Sequence, residues 1–212
     1  MSSPSVSVPA ISVREVWIET PRLILREHTA SDAEAVHAYA ADPEVLRYRM
    51  SSPATIEQVR ENLGRIEAQR VEEPLRTRYE LAIVTREEAC LIGWLPLILS
   101  GMPDTNDAEI GWTLARSVWG RGFATEAARA TLAFAFETLR LHRVWAYCQP
   151  ENVASSRIME KIGMRREGLF RQCRYIKEQW IDTLYYGMLE EEWWALRRES
   201  LAAPTRLKKE EN

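Results

Sequence analysis

The chain has 212 residues, 46% hydrophobic and 28% charged, which suits one globular domain with ragged ends. Its 28 Lys and Arg against 31 Asp and Glu leave a net charge of −3, without the basic stripe of a nucleic-acid binder. No apolar run approaches the roughly 20 residues of a membrane span, so nucleic-acid and membrane partners are not expected.

Met1–Ala10 is rich in Ser, Pro and Val but lacks the basic start and long apolar core of a signal peptide. Residues 1–12 are expected as a disordered lead-in, 13–198 as the folded domain and 199–212 as a polar tail. The cysteines, Cys90, Cys148 and Cys173, are odd in number and widely spaced. That argues against a disulfide framework or a zinc site and points to a reducing cytoplasm. His28, His37 and His142 show no ligand spacing, so no metal is expected, and His37 is expected to pack.

In chain order, Arg22–Arg26 reads as a short strand. Ala33–Ala40 follows as a helix behind Thr29 or Ser31, stopped at Asp42-Pro43. The spacing of Ile56, Val59, Leu63 and Ile66 predicts a second helix over about 55–70 with one apolar stripe. Tyr79–Val84 and Cys90–Leu95 read as strands, with Pro96 expected to end or interrupt the second or to mark a bulge. Ala108–Leu114 is a further strand, where Gly111 predicts a bulge or a close backbone approach. An Ala-rich helix spans about 124–139, with Ala124, Ala128, Leu132, Ala135 and Leu139 on one face. Arg143–Cys148 is a strand, Asn152 caps a short helix that Gly163 closes, and strands near Leu169–Ile176 and Trp180–Leu189 complete the core. The tail from Glu190 begins helical. The order implies a single-domain mixed α/β (α+β) arrangement around one sheet, rather than a doubly wound repeat.

Chemistry concentrates at Trp119-Gly120-Arg121-Gly122-Phe123-Ala124-Thr125. A glycine turn feeding a helix leaves N–H groups without intrahelical acceptors at the positive end of the helix dipole, a seat for phosphate. The turn fails as a dinucleotide fingerprint, because Thr125 stands where the third glycine belongs, and no Gly-Lys-Ser/Thr follows. A turn that needs two glycines for geometry alone is the plain alternative.

Three other stretches sharpen the reading: Ala108-Glu109-Ile110-Gly111-Trp112, Asn152-Val153-Ala154-Ser155 and Glu160-Lys161-Ile162-Gly163-Met164. Together with the glycine turn and Glu19–Arg26, they resemble the GNAT family of acetyl-CoA-dependent N-acetyltransferases. The similarity is greatest to the branch of ribosomal-protein N-terminal alanine/serine acetyltransferases, and it spans about residues 17–189. It implies a central mixed, mostly antiparallel twisted sheet of about seven strands, splayed in the middle and flanked by about four helices.

The resemblance further implies acetyl-CoA as co-substrate and no metal. Trp119, Gly120, Arg121, Gly122, Phe123, Ala124 and Thr125 would take the pyrophosphate. Trp112, Thr113 and Leu114 would present main-chain groups to the pantetheine arm, and Asn152 and Ser155 would add contacts. An amine must lose its proton before it attacks, and Glu109 is the candidate general base, through a water. A bulge near Gly111 or Trp112 is expected to aim a main-chain N–H at the developing oxyanion.

Two positions depart from the family pattern. Ser117 stands where Gln or Arg is usual, and Met159 stands where many members carry a tyrosine that protonates the leaving thiolate. In the branch the chain resembles, a serine at the place of Ser155 takes that role, with an ordinary first-turn residue as the alternative. The acceptor is expected to be a protein N-terminal alanine or serine, or a small amine such as an antibiotic, polyamine or amino acid. A non-catalytic coenzyme A sensor and a homodimer also stay open. Loops 47–53 and 100–107 are expected to set specificity. Of the late aromatics Tyr175, Trp180, Tyr185, Tyr186, Trp193 and Trp194, most are expected in the core or a dimer surface, and Asp182 in a hairpin role.

Overall fold

A computed structural model describes residues 13, 15–49, 53–72, 76–102 and 105–202. The expected lead-in and most of the expected tail lie outside the described residues. Strands β1 (Trp17–Glu19) and β2 (Leu23–Glu27) are followed by helices α1 (Ala33–Ala40) and α2 (Ile56–Glu72). Then come β3 (Arg78–Thr85), β4 (Leu91–Leu99), β5 (Asp107–Ile110) and β6 (Thr113–Leu114), helix α3 (Phe123–Ala133), β7 (Arg143–Cys148) and α4 (Val153–Lys161). The hairpin β8 (Arg165–Ile176) and β9 (Gln179–Leu189) and the helix α5 (Glu190–Ala202) complete the chain.

The nine strands form one sheet in the order β1-β2-β3-β4-β5-β7-β9-β8, with β6 also paired to β4. The β5–β7 pair is parallel and the others are antiparallel. Mixed topology with helices on both faces is the architecture the sequence implied, enlarged by the short β1 and β6 and by α5.

Each face carries its own apolar layer. On one, Leu23, Leu25, Leu81, Ile83, Leu95 and Leu97 meet Ala127, Ala128 and Leu132 of α3. Alanines there let the helix axis lie close to the sheet. On the other, Val36 and Tyr39 of α1 pack with Val59 and Leu63 of α2 over Trp94. β3 sits between both layers, and its residues 79–84 are buried without alternation, as expected for a strand covered on both faces. Each fully buried leucine contributes about 1.5–3 kcal/mol.

Three local expectations are corrected. The helix that the Ala-rich pattern extended to Leu139 stays α-helical only to Ala133, and Phe134–Thr138 forms a π turn closed by the Leu139 N–H on the Phe134 carbonyl. The widened turn lets Phe134, Ala135 and Phe136 all face the core in succession. Pro96 does not end its strand, because β4 runs on to Leu99. Nor does Gly111 carry a bulge. Leu97 pairs with Ile110 and Trp94 with Thr113, so the register is the same on both sides and no residue is inserted. The ladder thins because proline has no N–H to give, while its carbonyl still accepts from Gly111 N at 3.0 Å.

The helix limits are explained by their caps. Gly122 takes φ 81° as the residue before α3. Asn152 caps α4 by accepting from Ser155 N at 3.2 Å, and Gly163, at φ 96°, closes it. Asp182 is structural, its carboxylate accepting from Gln172 N at 2.8 Å across the hairpin.

Candidate active site

The last rung between β5 and β7 joins Glu109 to Trp145. Beyond it the strands part. β6 pairs with β4 alone, and Ala146–Cys148 pair with β9 alone. An opening is left in the middle of the sheet, with β6 as one lip and the end of β7 as the other. Main-chain groups in an antiparallel strand point alternately to its two neighbours. Thr113 is turned to β4, and its carbonyl oxygen would lie 2.5 Å from a Cβ at Gly93. Trp112 and Leu114 therefore carry the groups directed at the opening. Of these, the Leu114 carbonyl already accepts from the Trp119 indole at 2.9 Å. Of the three residues expected to present main-chain groups, Trp112 and the Leu114 N–H retain that geometry.

At one end of the opening stands the glycine turn. Gly120 and Gly122 hold φ 74° and 81°, the left-handed region that favours glycine. No side chain caps α3, and no acceptor among the described residues reaches the N–H groups of residues 120–125. A Cβ at Gly120 would meet nothing within 4 Å. Such a row of N–H groups at a helix mouth fits a diphosphate.

The turn is held from behind. The Glu126 carboxylate accepts from the Thr20 hydroxyl at 2.7 Å, Arg22 N at 2.9 Å and Arg22 Nε at 2.6 Å. Arg22 also donates to the Arg121 carbonyl at 3.0 Å and lies over the Phe123 ring. Burial opposes ionisation of Glu126, but the Thr20 and Arg22 donors outweigh it and hold the carboxyl below its ordinary range. The start of β2 is thereby tied to the mouth of α3, a tie that no local pattern in the sequence marks.

Glu109 faces the α1–α2 side of the sheet, half-buried. Its register partners there are Ile98 and Trp145. Burial pushes its carboxyl up, against the opposing pull of Arg174, Arg78 and the Tyr147 hydroxyl. Tyr147 is two residues along β7 from Trp145 and so shares that face, within a cluster of stacked rings formed by Trp145, Tyr147 and Tyr185. Arg174 lies over the Tyr147 ring at 3.7 Å. Burial and the neighbouring Glu109 charge both raise the Tyr147 phenol, which keeps its proton. Tyr147 and Arg174 escaped the sequence reading. They come from strands far apart in the chain, and the β5–β7, β7–β9 and β8–β9 pairings together bring them to Glu109.

Ser155 and Asn152 lie on the other lip, in the first turn of α4, with the Ser155 side chain half-buried. Met159 is fully buried in the core and has no proton to give. Cys148 is buried at the end of β7, and its thiol is pushed up to about 11 by burial and by Glu151. It stays protonated at neutral pH and is a poor nucleophile.

Residues 46–49, after α1, span the opening on the Glu109 face, with Arg49 donating to the Thr113 hydroxyl on one lip and Tyr48 bonded to Glu151 on the other. The Tyr48 hydroxyl donates to the Glu151 carbonyl at 3.2 Å, and Lys177 Nζ donates to the Leu46 carbonyl at 2.8 Å. Residues 50–52 and 103–104 of the expected specificity loops lie outside the described residues.

A mixed sheet parted between two central strands, with a glycine-formed helix mouth at the end of the gap, defines the class of coenzyme A-dependent acetyltransferase folds. Residues 22–165 match the acetyltransferase (GNAT) domain family, and the chain belongs to that family. It is 37% identical to the uncharacterized N-acetyltransferase YnaD of Bacillus subtilis, over 83% of this chain and 98% of that protein. It is 35% identical to a GNAT-family acetyltransferase from Bacillus anthracis of known structure, covering 83% of this chain and 99% of that one with a TM-score of 0.73. The ribosomal-protein-S5-alanine acetyltransferase of Vibrio fischeri shares the fold at a TM-score of 0.74, with 20% identity over 84% of this chain and 98% of that one. The fold implies binding of acetyl-CoA or coenzyme A.

Proposed function

We propose that the chain transfers the acetyl group of acetyl-CoA to a primary amine by direct attack within a ternary complex. The observation that carries this reading is the row of acceptor-free N–H groups at residues 120–125, opening onto a parted sheet that holds Glu109 beside the gap. In this reading Arg121–Thr125 seat the diphosphate, helped by the Thr125 hydroxyl. The Trp112 carbonyl and the Leu114 N–H pair with the pantetheine amides as an added strand does. Acetyl-CoA supplies the activated acyl group.

The remaining work falls to the chain's own side chains. Glu109, made more basic by burial, takes a proton from the acceptor ammonium through a water, which frees the amine lone pair. The Trp112 N–H supports the developing oxyanion, and the Ser155 hydroxyl donates to the departing sulfur. The high thiol pKa of Cys148 disfavours a covalent acyl-enzyme. The exposed thiols Cys90 and Cys173 suit a reducing cytoplasm.

The acceptor is an N-terminal alanine or serine of a protein, or a small amine. Incubation with acetyl-CoA and a panel of peptides and amines, read by thiol release, separates the two. Absence of acetyl-CoA binding at sub-millimolar concentration ends the proposal. Buried Met159, which offers no proton where many relatives carry a tyrosine, favours one second reading, a coenzyme A sensor. Tight binding without turnover on any amine would select it.

A further inference from the structure

Tyr147 stands where the sheet divides. The β5–β7 register joins Asp107 to Arg143, Ala108 to Val144 and Glu109 to Trp145. Carried two residues further, it sets Tyr147 opposite Gly111, on the face that carries Glu109. Across the gap neither is paired: Tyr147 keeps its partner Tyr185 on β9, and a Cβ at Gly111 would meet only Pro96 within 4 Å. With no side chain at Gly111, the Tyr147 ring faces the Glu109 lip with nothing from that position between them.

The ring is fixed from the β9–β8 side. Its centroid lies 6.1 Å from that of Trp145 and 5.8 Å from that of Tyr185. The Arg174 guanidinium sits 3.7 Å from the ring centroid, within cation–π range, and also donates to the Tyr185 hydroxyl at 3.5 Å. Trp145 is pinned in turn, its indole donating to the Asp107 carboxylate at 2.9 Å. The phenol is thus held as a donor at a set place beside Glu109. Both residues are half-buried, where a hydrogen bond is screened less than at the surface.

The other charged groups on this face have partners of their own. Arg78 of β3 is ion-paired to Glu80 at 2.7 Å, and Asp107 lies 4.0 Å from Arg143. In the segment above, Arg49 donates to Thr113, Tyr48 to the Glu151 carbonyl and Lys177 to the Leu46 carbonyl. Three groups favour the charged form of Glu109: Arg174 and Arg78 through their charge, and Tyr147 through its hydroxyl as a donor. Tyr147 is the one of the three on the strand next to Glu109.

We infer that Tyr147 is a positioning residue for the proposed base: clamped by Arg174 and Tyr185, its hydroxyl holds the Glu109 carboxylate at the mouth of the parted strands. The inference rests on the acetyltransferase reading and adds a residue to it. One carboxylate oxygen takes the phenol, and the other is left for the water that carries the acceptor's proton.

The test is an NMR titration of the full chain labelled at its glutamate carboxyl carbons, with the Glu109 signal assigned by its loss in Glu109→Gln. Tyr147→Phe keeps the ring and deletes the donor, so the Glu109 midpoint is expected at higher pH with an unchanged circular dichroism spectrum. Ring-fluorinated tyrosine at position 147 keeps the hydroxyl, strengthens it as a donor and is expected to move the midpoint down; it serves if Tyr147→Phe does not fold. On the amine of the panel that releases thiol fastest, Tyr147→Phe should lower kcat about tenfold and leave the KM for acetyl-CoA unchanged. Added to Glu109→Gln, it should cost nothing further, because it acts through that carboxylate. An unmoved or lowered midpoint in folded Tyr147→Phe overturns the inference, as does an upward shift on fluorination. The same kcat loss repeated on top of Glu109→Gln also overturns it. Failure of the unsubstituted chain to release thiol with any amine is read separately and strikes the acetyltransferase reading itself.

Discussion

The two ends of the sheet opening are built by different means. At the helix mouth, the groups left open are main-chain N–H of residues 120–125, the proposed diphosphate seat, and the Thr20–Arg22–Glu126 cluster holds the turn from behind. At the other end the proposed site is made of side chains, namely Glu109, Tyr147 and Arg174, under residues 46–49, which the Tyr48 and Lys177 bonds tie down. Main-chain recognition tolerates sequence change, which suits the first end to the proposed shared co-substrate. The second end can be re-lined residue by residue while the sheet beneath it stays, which is how one scaffold accommodates different acceptors.

The sharpest break between the two ends is Glu109→Gln. We expect kcat to fall by about 100-fold or more with coenzyme A affinity unchanged, measured by thiol release and by calorimetry. Unchanged turnover would remove Glu109 as the base.

Glu126→Ala should do the converse. Stability falls by about 1–2 kcal/mol, discounted because Arg22 is half-exposed, and coenzyme A affinity falls several-fold while acceptor KM holds. Denaturant melts and calorimetry read both effects.

Two pH responses come next. As the proposed base, Glu109 must be the carboxylate, and burial raises its pKa. The acidic limb of kcat/KM therefore lies above the ordinary glutamate value of about 4.3, and activity is lost as pH falls through it. A pH profile of Glu109→Gln should lack that limb.

Asp32 behaves oppositely. Burial disfavours its charge, but donors from Arg26, His28 and Thr29 prevail and depress its pKa. Its contribution to folding is complete above the unfolded value of about 3.9 and is lost as pH falls toward the depressed one. Acid titration of Asp32→Asn should show a shallower loss.

The smallest effect is expected from Lys177→Ala. Removing one partly exposed tie of the crossing segment should change acceptor KM about two- to threefold and leave coenzyme A affinity alone.

Much of the scaffold was legible because periodicity and caps are local. The α2 stripe, the Asn152 cap and the Gly163 stop all appear where the pattern put them. The glycine turn was legible for the same reason. The π turn was not, because alanines satisfy α and π windings alike, and the choice is made by which residues the sheet must cover. The evenness of register through Pro96 and Gly111 was also hidden. Both residues signal a bulge locally, while pairing on either side holds the count. Tyr147 and Arg174 were beyond reach, since strand order rather than sequence distance brings them to Glu109.

The ties made by Glu126 bear on where the working unit stops. A chain trimmed to the matched family span, 22–165, would discard Thr20 and with it one of the three bonds that steady the helix mouth. It would also strip β9 from the whole length of β7, baring an inner strand to water and to stray pairing. The catalytic scaffold is thus larger than the region by which its kinship is recognised.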